Sequence, residues 1–549
     1  MMLIMKRYYT LAVIALFCWS TVSAQQGLPS RSLTIEGAYN PTMTSTEKVM
    51  PVPERPVIER KPVEVSYLTG TQPLTSMKRN PMGAFSETSD DMKQSRYSGL
   101  VRFGYGVRNV HDGLADFNWN ISDKDNLKVT GLLDAWNTVP SDDWRSRMFN
   151  GDLNAVYSHR FDGFTLSIDG AFGHSHFNYR PSADMDTAQA RLSSLMQKIN
   201  GGEFGVSLTG TSAELDWHLN AGMEFLSRKG LRVAGTERTN KERLLRIDAG
   251  IGMPLLGGTG GFGYRQKTAM YDWQGWRGCD YSGFTALTFS PYWEKSGRKT
   301  DVHFGINLDF RTGAGNKFLA SPMITLMHDI DDRYKLVAGM TGGLEDNAMR
   351  NVSAMSPYWS EIERIRDGYT TMNLFMGAAF SQGTWLTLGA KAGYRHTVDE
   401  LFQTVSDSIV VTSLLQQQSS NVLYFRLDAD MLFANGAQLK MDLTYNDYLG
   451  DSYMGKMKFK PAFDINVYGS MNLARGLDAM LSYKMRLFHR VSRVAMPAVN
   501  DLAFTLDYDI SRKLSFYGTV KHLFGGDFYY YAGYRVIKPS VLVGLTYRF

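Results

Sequence analysis

From Tyr97 onward, apolar and polar residues alternate one by one over long stretches. Leu153, Ala155 and Tyr157 oppose Asp152 and Asn154; beyond Asp162-Gly163, Phe164, Leu166 and Ile168 oppose Thr165, Ser167 and Asp169. Leu215, Trp217, Leu219, Ala221, Met223 and Phe225 oppose Glu214, Asp216, His218, Asn220 and Glu224. The pattern returns in Val302, Phe304, Ile306, Leu308 and Phe310, in Leu423, Phe425, Leu427, Ala429 and Met431, and in Leu502, Phe504, Leu506 and Tyr508. Successive side chains of a strand point to opposite faces, so each segment predicts a strand with one apolar and one polar wall. The longest runs reach about ten residues, roughly twice an ordinary soluble strand. A tilted crossing of a bilayer's hydrocarbon layer needs about 9–11 residues.

The connections fall into two sets. Short, turn-like ones lie at 122–126, 162–163, 257–261, 329–333, 382–383, 435–436 and 511–512. Longer, variable ones lie at 139–147, 178–202, 346–368, 397–418 and 525–532. Short periplasmic turns against long extracellular loops is the arrangement of an outer-membrane barrel. One long loop carries a helical spacing, with Ala188, Leu192, Leu195 and Ile199 on one face and a stop at Gly201-Gly202. Pairing the segments gives about 22 strands, an even number with both ends periplasmic. The predicted fold is all-β: a transmembrane antiparallel up-and-down β-barrel.

The last segment places Val541, Val543, Leu545, Tyr547 and Phe549 on one face and Leu542, Gly544, Thr546 and Arg548 on the other. It ends on an aromatic residue. This resembles the closing strand of a Gram-negative outer-membrane barrel, whose terminal Phe is read by the barrel-assembly machinery. That resemblance implies the machinery and outer-membrane lipid as partners, and the outer membrane as the location. Residues 97–549 also resemble the barrel of TonB-dependent receptors, through size, hairpin asymmetry and the terminal Tyr547-Arg548-Phe549. Those receptors carry a globular plug ahead of the barrel. Residues 25–96 are too short and too poor in apolar periodicity to fold as one, so a receptor-like barrel without a full plug domain is expected.

The N-terminus supports export. Lys6 and Arg7 precede an apolar core at 9–19, and Val22-Ser23-Ala24 offers small residues for cleavage, so residues 1–24 read as a signal peptide. Beyond it only Cys279 remains, which rules out an internal disulfide framework. No later stretch has 18 apolar residues in a row, so no transmembrane helix is implied. Residues 25–96 form a Pro-rich periplasmic arm or small plug-like segment. Pro51, Pro53, Pro56 and Pro62 punctuate a run of mixed charge, after a strand-like piece with Leu33 and Ile35 and a turn at Tyr39 and Pro41. Such a segment would either obstruct the lumen or dock a periplasmic or surface protein.

Composition excludes some chemistry. The net charge of +5 is small for 549 residues and gives no reason to expect nucleic acid. Gly258, Gly260 and Gly263 spell GxGxxG, but a strand rather than a helix follows, so nucleotide binding is not expected. His174 and His176 point the same way from a strand, without a third metal ligand placed by sequence. Ser175 between them faces the other wall and can pair with neither. No catalytic motif and no cofactor are expected. Trp273, Trp276, Trp293 and Tyr529, Tyr530 and Tyr531 suit an interfacial aromatic girdle. Asp134, Arg246, Asp248, Lys391, Arg426, Asp428, Asp430, Lys484 and Arg486 are expected to face inward, hydrated or paired. The function expected is a receptor-like channel for passage of small molecules across the outer membrane. The alternative is a structural or assembly-accessory barrel that docks a partner.

Overall fold

The computed structural model describes residues 98–549 except 142–143, 182–194, 212–214, 230–238, 274–280, 314–316, 362–363, 408–409, 435, 450–459, 489–497, 526–527, 532 and 537–538. The expected signal peptide and the arm, with Leu33, Ile35, Tyr39, Pro41, Pro51, Pro53, Pro56 and Pro62, lie outside the described residues.

Twenty-two strands, from Gly99–Gly106 to Ser540–Arg548, pair antiparallel with their neighbours and close into a barrel. Closure comes from the first strand pairing with the last, in register from Leu100↔Arg548 to Gly106↔Leu542. Phe549 extends the seam: its carbonyl accepts the N–H groups of Ser98 and Gly99, at 2.8 and 3.2 Å, and its ring packs 5.3 Å from Phe117. On the last strand Val541, Val543, Leu545 and Tyr547 are about half exposed on the outer wall, while Leu542 and Thr546 are buried inside. The outer wall is apolar all round, with Phe103, Leu153, Phe172, Phe204, Met223, Ile306 and Leu374 among its exposed side chains. In water such a surface would be an aggregation site; around a closed barrel it is the lipid face of an outer-membrane protein.

The periplasmic turns are tight. At 256–257, Leu256 and Gly257 both take positive φ (51° and 70°), the signature of a two-residue type I′ hairpin. The GxGxxG glycines, Gly258, Gly260 and Gly263, therefore lie on the strand Gly258–Asp272 that leaves this turn. The helical spacing expected around 188–199 is corrected: Met196–Thr211 is a strand, and Ala188 and Leu192 lie outside the described residues. Gly201 and Gly202 sit inside that strand, opposite Gly173 and Phe172, because ladder bonds on both edges override local periodicity. Two expected loops are likewise strand. The hairpin Leu386–Asp407 and Val410–Leu432 runs through most of 397–418, with one register shift between Thr397 and Glu400, and Asp125–Ser141 leads almost directly into Trp144–Arg160. At 22 and 23 residues, the first hairpin's strands rise well above the bilayer.

Adjacent residues on opposite walls test the assignment. Leu153 is 54% exposed outward, and Asn154 faces the lumen. Leu153→Arg should cost about 2–4 kcal/mol or block assembly, and Asn154→Arg should be mild. Heat-modifiability on gels reads both; equal tolerance would contradict a lipid-facing wall. Deleting Phe549 removes three backbone hydrogen bonds at the seam. The truncated chain should insert less well, visible as protease-sensitive, non-heat-modifiable protein in membranes.

Candidate functional site: the loop cap in the lumen

A 22-strand wall encloses more space than its own side chains can fill. Here the connection 346–367 turns inward at the extracellular end and crosses that space. Its two ends are pinned by one wall lysine. Lys267 binds the carboxylate of Asp346 and donates to Asp367 at 2.7 and 2.9 Å. Arg246 holds the other oxygen of Asp346 at 2.5 Å and also pairs with Glu224. Arg350 then links Glu224, at 3.8 Å, to Glu203. Seven charges thus alternate in sign from Glu203 through Arg350, Glu224, Arg246, Asp346 and Lys267 to Asp367. Burial pushes the Asp346 carboxyl up, but Lys267 and Arg246 outweigh it and hold it well below the usual carboxylate range.

The segment contains one short helix, Met349–Met355. Its N-cap is Ala348, which has no side-chain acceptor for the first free N–H groups. The wall supplies one: both oxygens of Glu242 accept the Met349 N–H, at 3.0 and 3.1 Å. Beyond the helix, Trp359 is 1% exposed. It stacks on Trp273 with centroids 5.7 Å apart, and the Arg228 guanidinium lies 4.1 Å from its ring. Arg228 also donates to the Tyr179 hydroxyl and to the carbonyls of Pro357 and Trp359, at 2.6, 3.2 and 2.8 Å. Tyr358 stacks on Tyr534 at 3.5 Å.

These contacts join opposite walls. Trp359–Glu361 pairs in parallel with Ser413–Leu415 of the tall hairpin. Arg180–Pro181, which follows the fifth barrel strand, pairs with Val410 and Val411 on the sixteenth, half way round the ring. Tyr534, from the last long loop, donates to the Val411 carbonyl at 2.6 Å and accepts the Arg180 N–H at 3.2 Å. With Trp273 and Tyr281, from the connection after Gly258–Asp272, four loops and one hairpin therefore meet over the lumen. Phe177, Leu226, Met349, Val352, Leu401 and Leu415 complete a buried apolar cluster beneath them. Below this cap the inner wall is polar and mixed in sign. Arg486 pairs with Asp464 at 2.9 Å, His218 with Asp248 at 2.9 Å, and Lys440 with Asp430 at 3.5 Å. Lys391 sits 3.6 Å from the ring of Phe375, and Asp428 lies directly across from Asp442.

The sequence candidates distribute as follows. His174 and His176 face outward near the extracellular rim, ring centroids 5.8 Å apart. His174 bonds Asn200 at 2.6 Å and His176 stacks on Phe149 at 5.3 Å, and no third metal-binding side chain joins them among the described residues. Ser175 turns the other way and donates to Asn150 at 2.5 Å. Trp273 leaves the expected girdle: it is 3% exposed and belongs to the cap, because the inward loop offers it a ring to stack on. Trp293 lies near the periplasmic turns, its Nε1 donating to the Leu255 carbonyl at 3.0 Å. Trp276 lies outside the described residues. Of the inward charges expected, Arg246 alone enters the seven-charge chain. The other cap residues were not singled out from sequence, although Tyr358-Trp359 is an unusual pair for a loop that should be solvated.

No protein-family model and no curated protein matches the chain. Solved structures do. The siderophore receptor PirA from Acinetobacter baumannii is similar with a TM-score of 0.62 at 14% identity, over 82% of this chain and 80% of that one. A variant of the ferric enterobactin receptor PfeA from Pseudomonas aeruginosa, in complex with enterobactin, gives 0.61 at 15% identity, over 82% and 81%. The ferric-catecholate import receptor Fiu from E. coli K12 gives 0.57 at 10% identity, over 82% of each chain. At such low identity the likeness is one of fold, and the fold of this chain is the closed 22-strand barrel seen in the TonB-dependent receptors.

Proposed function

We propose that this protein is a receptor-like outer-membrane channel for small molecules, gated at its extracellular mouth by segment 346–367. One observation carries the reading: the lumen is crossed by a segment held mainly by side-chain contacts, with a single three-residue pairing, Trp359–Glu361 on Ser413–Leu415, as its share of sheet. Its two anchor carboxylates, Asp346 and Asp367, share one lysine. Removing a partner from such a buried set costs about 3–5 kcal/mol, enough to shift a closed segment towards release. The similar solved structures include receptors whose names give siderophores and ferric catecholates as their ligands. The inner wall carries both signs of charge, which suits a polar solute without strong ion selection. No catalytic role is part of this reading. The Pro-rich arm is assigned to the periplasmic side, as a second obstruction or as a docking strand.

Lys267→Met leaves Asp346 and Asp367 buried without their shared cation. The barrel should remain heat-modifiable, while segment 346–367 becomes cleavable by added protease. In a planar bilayer the variant should show stepwise conductance that the parent protein lacks. Removing residues 25–90 as well should raise conductance further if the arm obstructs the lumen. A barrel that stays closed with both changes would favour the structural, partner-docking reading.

A further inference from the structure

The outer wall is not apolar to its full height, and toward the extracellular end a few adjacent strands carry a row of cations. On Trp144–Arg160 the side chains of Trp144, Ser146 and Met148 are buried inward, which turns Arg145 and Arg147 outward and exposed. On Met196–Thr211, Lys198 is exposed between inward Gln197 and Ile199. On Thr239–Leu255, Lys241 and Arg243 are exposed between inward Asn240, Glu242 and Leu244. The strands between them, Phe164–Asn178 and Asp216–Lys229, add His174, His176 and Lys229 to the same outward row. No ion pair to an acidic side chain occupies Arg145, Arg147, Lys198, Lys241 or Arg243 among the described residues. Asp272, beside Lys241 in register, is the acidic neighbour on this row.

The height of the row matters as much as its sign. Directly below it the same outward faces carry Leu153, Phe172, Phe204 and Met223, each about half exposed, and Phe225 stands beside Arg243. The change from apolar to cationic marks the extracellular boundary of the hydrocarbon, where lipid headgroups sit. Five strands spaced ~4.8 Å apart spread the cations over about 20 Å of wall. Arginine and lysine facing a headgroup layer make charge-assisted hydrogen bonds to phosphate oxygens, and the aromatic and aliphatic side chains beneath them accept acyl chains. We propose that this face is a binding site for a phosphate-bearing glycolipid of the outer leaflet, with the cations on its headgroup and the apolar row on its chains. The site is independent of the lumen and of the gating reading.

The probe is bis-phosphorylated lipid A in maltoside micelles, added to the delipidated full-length protein and followed by native mass spectrometry. Wild type should retain it at least tenfold more tightly than fully dephosphorylated lipid A, and inorganic phosphate at millimolar concentration should not displace it. R147Q/K198Q/R243Q should lose that tenfold preference while staying heat-modifiable. Lys295→Gln, an exposed outward cation at the periplasmic end, should keep it. Equal retention of the two lipids by wild type overturns the proposal without recourse to any variant. Displacement by inorganic phosphate would make the face a free-anion site and also overturn it.

Discussion

Inside a hydrocarbon layer every backbone N–H and C=O must find a partner within the protein, because no water is there to offer one. An open sheet fails this test at two edges. In this chain the failure is removed by one seam, where Gly99–Gly106 meets Ser540–Arg548. Everything else follows from it. Closure fixes which wall each residue faces, since a register slip of one residue would turn Val541 and Val543 into the lumen and Leu542 out to lipid. Closure with this many strands also creates a lumen too wide for side chains to fill, which leaves the protein with a vacancy at its axis.

The extracellular half of that vacancy is filled by a cap with two kinds of contact. Aromatic stacking of Trp359 on Trp273 and of Tyr358 on Tyr534 supplies apolar burial. The charge chain from Glu203 to Asp367 supplies position. Buried ion chains are poor sources of net stability, because desolvation offsets most of the attraction. They are strict about geometry, however. Displacing Lys267 leaves Asp367 without an ion-pair cation, and displacing Arg246 separates Asp346 from Glu224. A segment held this way has a defined closed position and a limited stability in it.

Much of the barrel was legible in the sequence, and for a physical reason. Lipid imposes a two-residue period on every strand, so Leu153 against Asn154 or Ile306 against Asn307 already declares which wall is which. Strand ends were less legible. The extra turns of ladder at Leu386–Asp407 and Val410–Leu432 lie above the hydrocarbon, where nothing enforces alternation. The cap was almost invisible. Asp346 and Lys267 are 79 residues apart, and Tyr179 and Trp359 180 apart, so no local pattern links them. Trp273 was misread because a tryptophan at a strand end has the same sequence context whether it faces lipid headgroups or another ring.

The pairing of Arg180–Pro181 with Val410 and Val411 carries a consequence for the order of assembly. The two segments are attached to strands that stand half a circumference apart, and they touch only across the diameter. While the sheet is still a growing, open ribbon, that distance is set by an unbent wall and cannot be bridged. The sheet between them must therefore curl through half a turn before this part of the cap can form. The contact over the mouth records, locally, that the wall beneath it has taken its final curvature.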